Sequence, residues 1–137
     1  MEASILKRTM VAVAALLLFA SPVLAEETRS EPTQNPDAAF RLFNTTNIYT
    51  LLRLDTRDGR IWQMQWGDKD HRFIQPLNLD SLTAGEKAGR FTLYPTSNIY
   101  TFILLDQESG DAWHVQWGEA ADRFILPIKE LSKEWQP

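Results

Sequence analysis

A stretch of this chain is written twice, 51 residues apart and without a gap, and nothing else in it restricts the fold so tightly. Phe40-Arg-Leu-Phe-Asn-Thr-Thr-Asn-Ile-Tyr-Thr-Leu-Leu-Arg-Leu-Asp55 returns as Phe91-Thr-Leu-Tyr-Pro-Thr-Ser-Asn-Ile-Tyr-Thr-Phe-Ile-Leu-Leu-Asp106. Gly59, Trp62, Gln65, Trp66, Gly67, Arg72, Phe73, Ile74 and Pro76 recur as Gly110, Trp113, Gln116, Trp117, Gly118, Arg123, Phe124, Ile125 and Pro127. Across the 38 positions from Phe40 to Leu77, 18 are identical to the residue 51 further on. Such spacing means two copies of one structural unit.

Inside each copy the apolar residues alternate with period two, the pattern of half-buried strands. Ile48, Thr50, Leu52 and Leu54 share one side, with Tyr49, Leu51 and Arg53 on the other; Ile99, Thr101, Ile103 and Leu105 repeat the arrangement. In the next strand Trp62, Met64 and Trp66 alternate with Ile61, Gln63 and Gln65, and Trp113, Val115 and Trp117 with Ala112, His114 and Gln116. One side is aromatic and the other rich in amides. The turns are equally legible. Asp55 to Gly59 and Asp106 to Gly110 end in the glycine that a tight hairpin loop needs for a positive φ, and each aspartate can accept backbone N–H bonds in the turn. A proline near the end of each fourth strand, Pro76 and Pro127, suits an edge.

The expected fold is therefore all-β: two tandem repeats of about four antiparallel strands, packed as a small sandwich or barrel with pseudo-twofold symmetry. The single domain 40–137 divides into repeat 1 (40–77), a linker (78–89), repeat 2 (90–128) and a C-terminal tail (129–137) expected to form a short helical turn, with Leu131 and Trp135 on one side.

The run Asn98-Ile-Tyr-Thr-Phe-Ile-Leu-Leu-Asp-x3-Gly-x2-Trp-x-Val-Gln-Trp117 resembles a motif of small secreted bacterial proteins, in which it often stands in tandem. The resemblance spans nearly everything after residue 39 and implies no activity. Leu105-Asp-x3-Gly-x2-Trp113 also resembles part of a blade repeat of propellers that bind pyrroloquinoline quinone; two units are too few to close a propeller in one chain, and no cofactor is carried across.

Upstream of the repeats, Lys7 and Arg8 precede an apolar run from Met10 to Ala20 and a Ser21-Pro-Val-Leu-Ala25 segment ahead of Glu26. This is the layout of a cleavable signal peptide over 1–25, too short for a comfortable membrane span, and it places the mature protein in the periplasm or outside the cell. Residues 26–39, polar and proline-containing, read as a flexible tether. The formal net charge is −4, and one unit more negative without the signal, which argues against nucleic acid or an anionic membrane as partner. With no cysteine, disulfides, thiolate metal sites and a cysteine nucleophile are excluded, so the fold rests on its apolar core.

For that core the obvious material is Trp62, Trp66, Trp113 and Trp117, since each buried tryptophan removes roughly 150–250 Å² from water; their alternative use is as a sugar-stacking platform. The amide side is the expected binding face: Gln63, Gln65, His114 and Gln116, with Tyr49 and Tyr100 offering ring and hydroxyl from neighbouring strands. Amides both donate and accept, which suits glycan hydroxyls or a peptide backbone. Asp55, Gly59, Asp106 and Gly110 read as turn residues. A calcium reading of the aspartates is disfavoured because Arg57 sits where a ligand would be needed. His71 and His114 are not equivalent in the repeat, and no nucleophile elbow, paired histidines or phosphate loop is present, so no enzyme and no metal site is expected. The expected function is a non-enzymatic secreted or periplasmic module that recognises a protein partner, including as an inhibitor. A glycan-binding module with two equivalent aromatic and amide sites is the alternative, and a carboxylate-dependent hydrolase a remote third.

Overall fold

The computed structural model describes residues 33–131. The expected signal peptide, the first half of the expected tether (26–32) and residues 132–137 of the tail, with Trp135, lie outside the described residues. Residues 33–131 belong to one compact unit.

Eight strands follow one another: β1 (Phe40–Asn44), β2 (Thr50–Asp55), β3 (Ile61–Gln65), β4 (Phe73–Asn78), β5 (Phe91–Pro95), β6 (Thr101–Asp106), β7 (Ala112–Gln116) and β8 (Phe124–Ile128). The one helical element among the described residues is a 3-10 turn, Ala120–Asp122. Each repeat is a separate antiparallel meander, β1-β2-β3-β4 and β5-β6-β7-β8, and among the described residues no strand pairs across them to close a barrel. The registers match: Leu52 opposes Gln63 as Ile103 opposes His114, and Arg53 opposes Trp62 as Leu104 opposes Trp113. Pro76 and Pro127 sit in β4 and β8, the outermost strands, where a missing N–H interrupts no ladder.

The hairpin glycines take φ +84° at Gly59 and +83° at Gly110, the left-handed region that glycine enters without a side-chain penalty. Their turns are closed by the aspartates. Asp55 Oδ1 accepts the Arg57 N–H at 3.1 Å, and Asp106 Oδ1 accepts the Glu108 N–H at 3.0 Å.

Directly opposed residues in an antiparallel pair point to the same side, so register and burial together show which side of each sheet is covered. The first sheet turns Phe43, Leu52, Leu54, Ile61 and Leu77 inward. The second contributes Phe91, Leu93, Phe102, Leu104, Trp113, Val115, Trp117 and Ile125. Shifting the first set by 51 lands on none of the second set. The sandwich therefore joins opposite faces of its two halves, and the pseudo-twofold relation expected for them does not occur. A twofold axis would bury equivalent residues; here the second unit is stacked on the first in the same orientation.

This stacking corrects the expected core. Trp117 is buried (4% exposed) and Trp113 packs against the core, but Trp66 is 51% exposed and Trp62 lies half-buried on the outer side of the first sheet, with the Arg53 guanidinium 4.4 Å above its ring. In the first repeat the amide side is the inward one: Gln63 is 5% exposed, against the expectation of a solvated face.

Thr56, fully buried, fastens the halves together. Its hydroxyl donates to the Ala38 carbonyl at 2.6 Å and accepts the Gly89 N–H at 2.9 Å, and its carbonyl accepts the Phe91 N–H at 2.8 Å. Leu82 from the linker packs on the core beside it.

Candidate functional site

Where the stacked sheets diverge they leave a cleft of about 840 Å³, walled on one side by the first repeat and on the other by the second. Its first wall consists of Thr46, Asn47, Thr50, Gln63, Gln65, Phe73 and Gln75. The second wall is Ile99, Tyr100, Gln116, Trp117, Gly118 and the 3-10 turn, with Glu119 and Asp122 exposed on the rim beside Arg123. Strand alternation explains the chemistry of the first wall: Thr50, Gln63 and Gln65 occupy the inward positions of β2 and β3, and they line the cleft while Leu52 and Leu54 fill the core.

Four side chains fasten the walls together, the first being Thr46, whose hydroxyl donates to the Ile99 carbonyl at 3.3 Å. Gln63 Oε1 accepts the Gly118 N–H at 3.1 Å. Arg123 donates from Nη1 to Gln75 Oε1 at 2.6 Å and from Nε to the Gly118 carbonyl at 2.7 Å. The recurring arginine thus connects the halves through the Gln75 amide, while its bond to Gly118 fixes it within its own half. Tyr100 stands 47% exposed with its ring centroid 5.2 Å from that of Trp117, and its N–H is anchored on Asn98 Oδ1 at 3.0 Å. Among the described residues the Gln65 side chain has no hydrogen-bond partner, which leaves its amide available to a ligand, whereas Gln116 lies between the inward Val115 and Trp117 and turns its side chain to the outer side with His114.

Of the six residues expected to bind, the cleft gathers Gln63, Gln65, Tyr100 and Gln116. Tyr49 and His114 lie elsewhere. Tyr49 packs edge-on against Trp66 at 5.4 Å on the far side of the first sheet, and His114 lies on the outer side of the second, T-stacked on Phe124 at 4.8 Å. The residues that sequence reasoning missed, Asn47, Gln75, Glu119, Asp122 and Arg123, come from turns and an edge strand. The one available signal was Arg123 itself, repeated as Arg72 before Phe-Ile.

The hairpin aspartates form ion pairs and lie away from this cleft. Burial opposes the charge of Asp55, yet the hydrogen bonds and charge of Arg57, with Arg60 nearby, hold its carboxyl below the usual value. Asp106, opposed by burial in the same way, is drawn down to about 2 by Arg90, by two backbone N–H groups and by Ser109. Among the described residues no group of three acidic, histidine or cysteine side chains is placed to hold a metal ion.

The chain matches no protein-family model, no curated protein and no solved structure.

Proposed function

We propose that this protein is a non-enzymatic binding module, exported by its N-terminal signal to the periplasm or beyond, and that the cleft between its repeats takes a glycan of the cell envelope. The cleft itself carries this reading. An aromatic ring, half-exposed at Tyr100, shares the cleft with the unused donors and acceptors of the Gln65 amide, and a pyranose offers both a CH face to the ring and hydroxyls to the amide. Gln63 and Arg123 hold the walls in place before any ligand arrives, which lowers the ordering cost of binding. Intrinsic fluorescence of Trp117, in ring contact with Tyr100, reports on occupancy during titration with envelope glycans and peptidoglycan fragments. A saturable response that Tyr100→Ala and Gln65→Ala each abolish is expected. Binding that survives both substitutions, or no binding to any of these glycans, refutes the cleft as a glycan site.

A protein-partner reading is favoured by a different observation, the apolar sides that both sheets leave uncovered.

A further inference from the structure

Stacking two like units in one direction joins two different faces and leaves one of each unused. On the first sheet the uncovered face carries Leu42 (41% exposed), Trp66 (51%) and Ile74 (49%). Their equivalents 51 residues on, Leu93, Trp117 and Ile125, belong to the core. On the second sheet the uncovered face carries Tyr94 (51%) and Ile128 (51%), equivalent to Phe43 and Leu77, which pack against the core of the first, and it also carries Leu126, opposite His114. The two ends of the molecule are therefore second copies of the two surfaces that already fit together inside it.

Where the outer faces depart from the inner ones, they depart reciprocally. Ile61, covered, becomes the smaller Ala112, while on the opposing face Val115 becomes the larger Met64. Arg41 becomes Thr92, and Leu104 becomes Arg53. At these two pairs of positions what one face loses in bulk the other gains, the exchange that a packed junction requires.

A polar atom marks the same place. His114 occupies the position of Gln63, whose side chain accepts the Gly118 N–H across the inner junction, and His114 Nε2 is buried without a partner. A buried polar atom left unpaired calls for an explanation, and of the four among the described residues, Arg41 Nε, Arg53 Nε, His114 Nε2 and Trp117 Nε1, those of His114 and Arg53 lie on the two uncovered faces.

We propose that the protein assembles head to tail with copies of itself, the Trp66 face of one covering the Leu126 face of the next, and that the series closes into a ring. A contact between two different faces is heterologous and generates rings when the rotation between units closes. Radial arrays of four-stranded sheets close at about four to eight sheets, which corresponds to about two to four chains of this kind. At each new junction His114 receives the N–H of Gly67 of the partner subunit, the counterpart of Gly118. A second cleft forms there, in which Tyr49 stands in the role of Tyr100 and His114 and Gln116 in those of Gln63 and Gln65. Tyr49 and His114, which the single chain leaves outside its cleft, become site residues in the assembly.

Sedimentation and native mass spectrometry on the full chain, expressed with its own N-terminal segment and purified after cellular processing, read the assembly directly. The expected result is one discrete species of two, three or four protomers. Trp66→Glu and Leu126→Glu alter residues 51% and 56% exposed, so each folds, as far-UV circular dichroism verifies. Each alone is expected to be monomeric, and an equimolar mixture to form a two-chain complex and nothing larger, joined through the one intact pair of unlike faces. A wild-type chain that stays monomeric at its solubility limit overturns the proposal. So does assembly by either variant alone, which would mean that like faces pair, or fibres that lengthen with concentration. None of these outcomes depends on whether the cleft binds glycan.

Discussion

Asp106→Asn removes a carboxylate that is 2% exposed and bound twice by Arg90, at 3.0 Å from Nε and 2.8 Å from Nη2. Arg90 is itself only 14% exposed, so water cannot take over its partner's role. The ionised form of Asp106 is favoured by its fold from an ordinary 3.8 down to about 2, and at about 1.36 kcal/mol per unit this is worth roughly 2 kcal/mol. Losing it and leaving a guanidinium facing a neutral amide gives an expected cost of about 2–4 kcal/mol at neutral pH. Because the folded-state value is the lower one, the contribution is complete above 3.8 and drains away as pH falls toward about 2. Urea unfolding of wild type and variant, followed from about pH 7 to about pH 2, should show a midpoint gap that is constant down to about pH 5 and then closes. A gap of the same size at both ends of that range would refute the electrostatic origin. Asp55→Asn is the internal control: Arg57 is 38% exposed, so the loss there is expected to be smaller.

The duplicated turn provides a second paired comparison. Gly59→Ala and Gly110→Ala both force alanine to a φ near +84°, a cost of about 1–2 kcal/mol. Only at Gly59 does the new Cβ come within 2.9 Å of a neighbour, Leu82 Cδ1, so thermal unfolding should show the first variant to be the less stable by about a further 1 kcal/mol or more. Trp117→Ala should lower stability by about 3–5 kcal/mol, whereas Trp66→Ala, measured at a dilution where the chain is monomeric, should cost about 1 kcal/mol or less. Equal losses would contradict the opposite placement of these equivalent residues.

Strand positions and hairpins were readable because alternation and turn chemistry are local: Leu52 and Leu54 share a side wherever the sheet goes, and Gly59 must close its loop. Which side is covered is not a local property. In the first repeat both sides are apolar, Leu52, Leu54 and Ile61 on one and Trp62, Met64 and Trp66 on the other, and tryptophan is the heavier weight in any tally of hydrophobicity. The decisive residue was Arg53, on the tryptophan side in the first repeat where the second has Leu104, fully buried. A guanidinium at the centre of a sheet face marks that face as uncovered within the chain, and taking the repeats as equivalent concealed the difference. The cleft was hidden for a related reason. Gln63 and Gln65 were identifiable from alternation, but their companions Glu119 and Arg123 belong to the other half and meet them only through the stacking.

The opposite burial of equivalent residues also governs what genetic exchange between the halves can do. Tandem copies of one unit can exchange sequence, and here the outcome would depend on direction. Copying the first half's arginine codon onto position 104 would place a charge at a site with no solvent, at a severe cost to the fold. Copying leucine onto position 53 would leave the fold intact and strip the Trp62 ring of its cationic cover. Two segments that began as one are thus kept apart in sequence by their different surroundings.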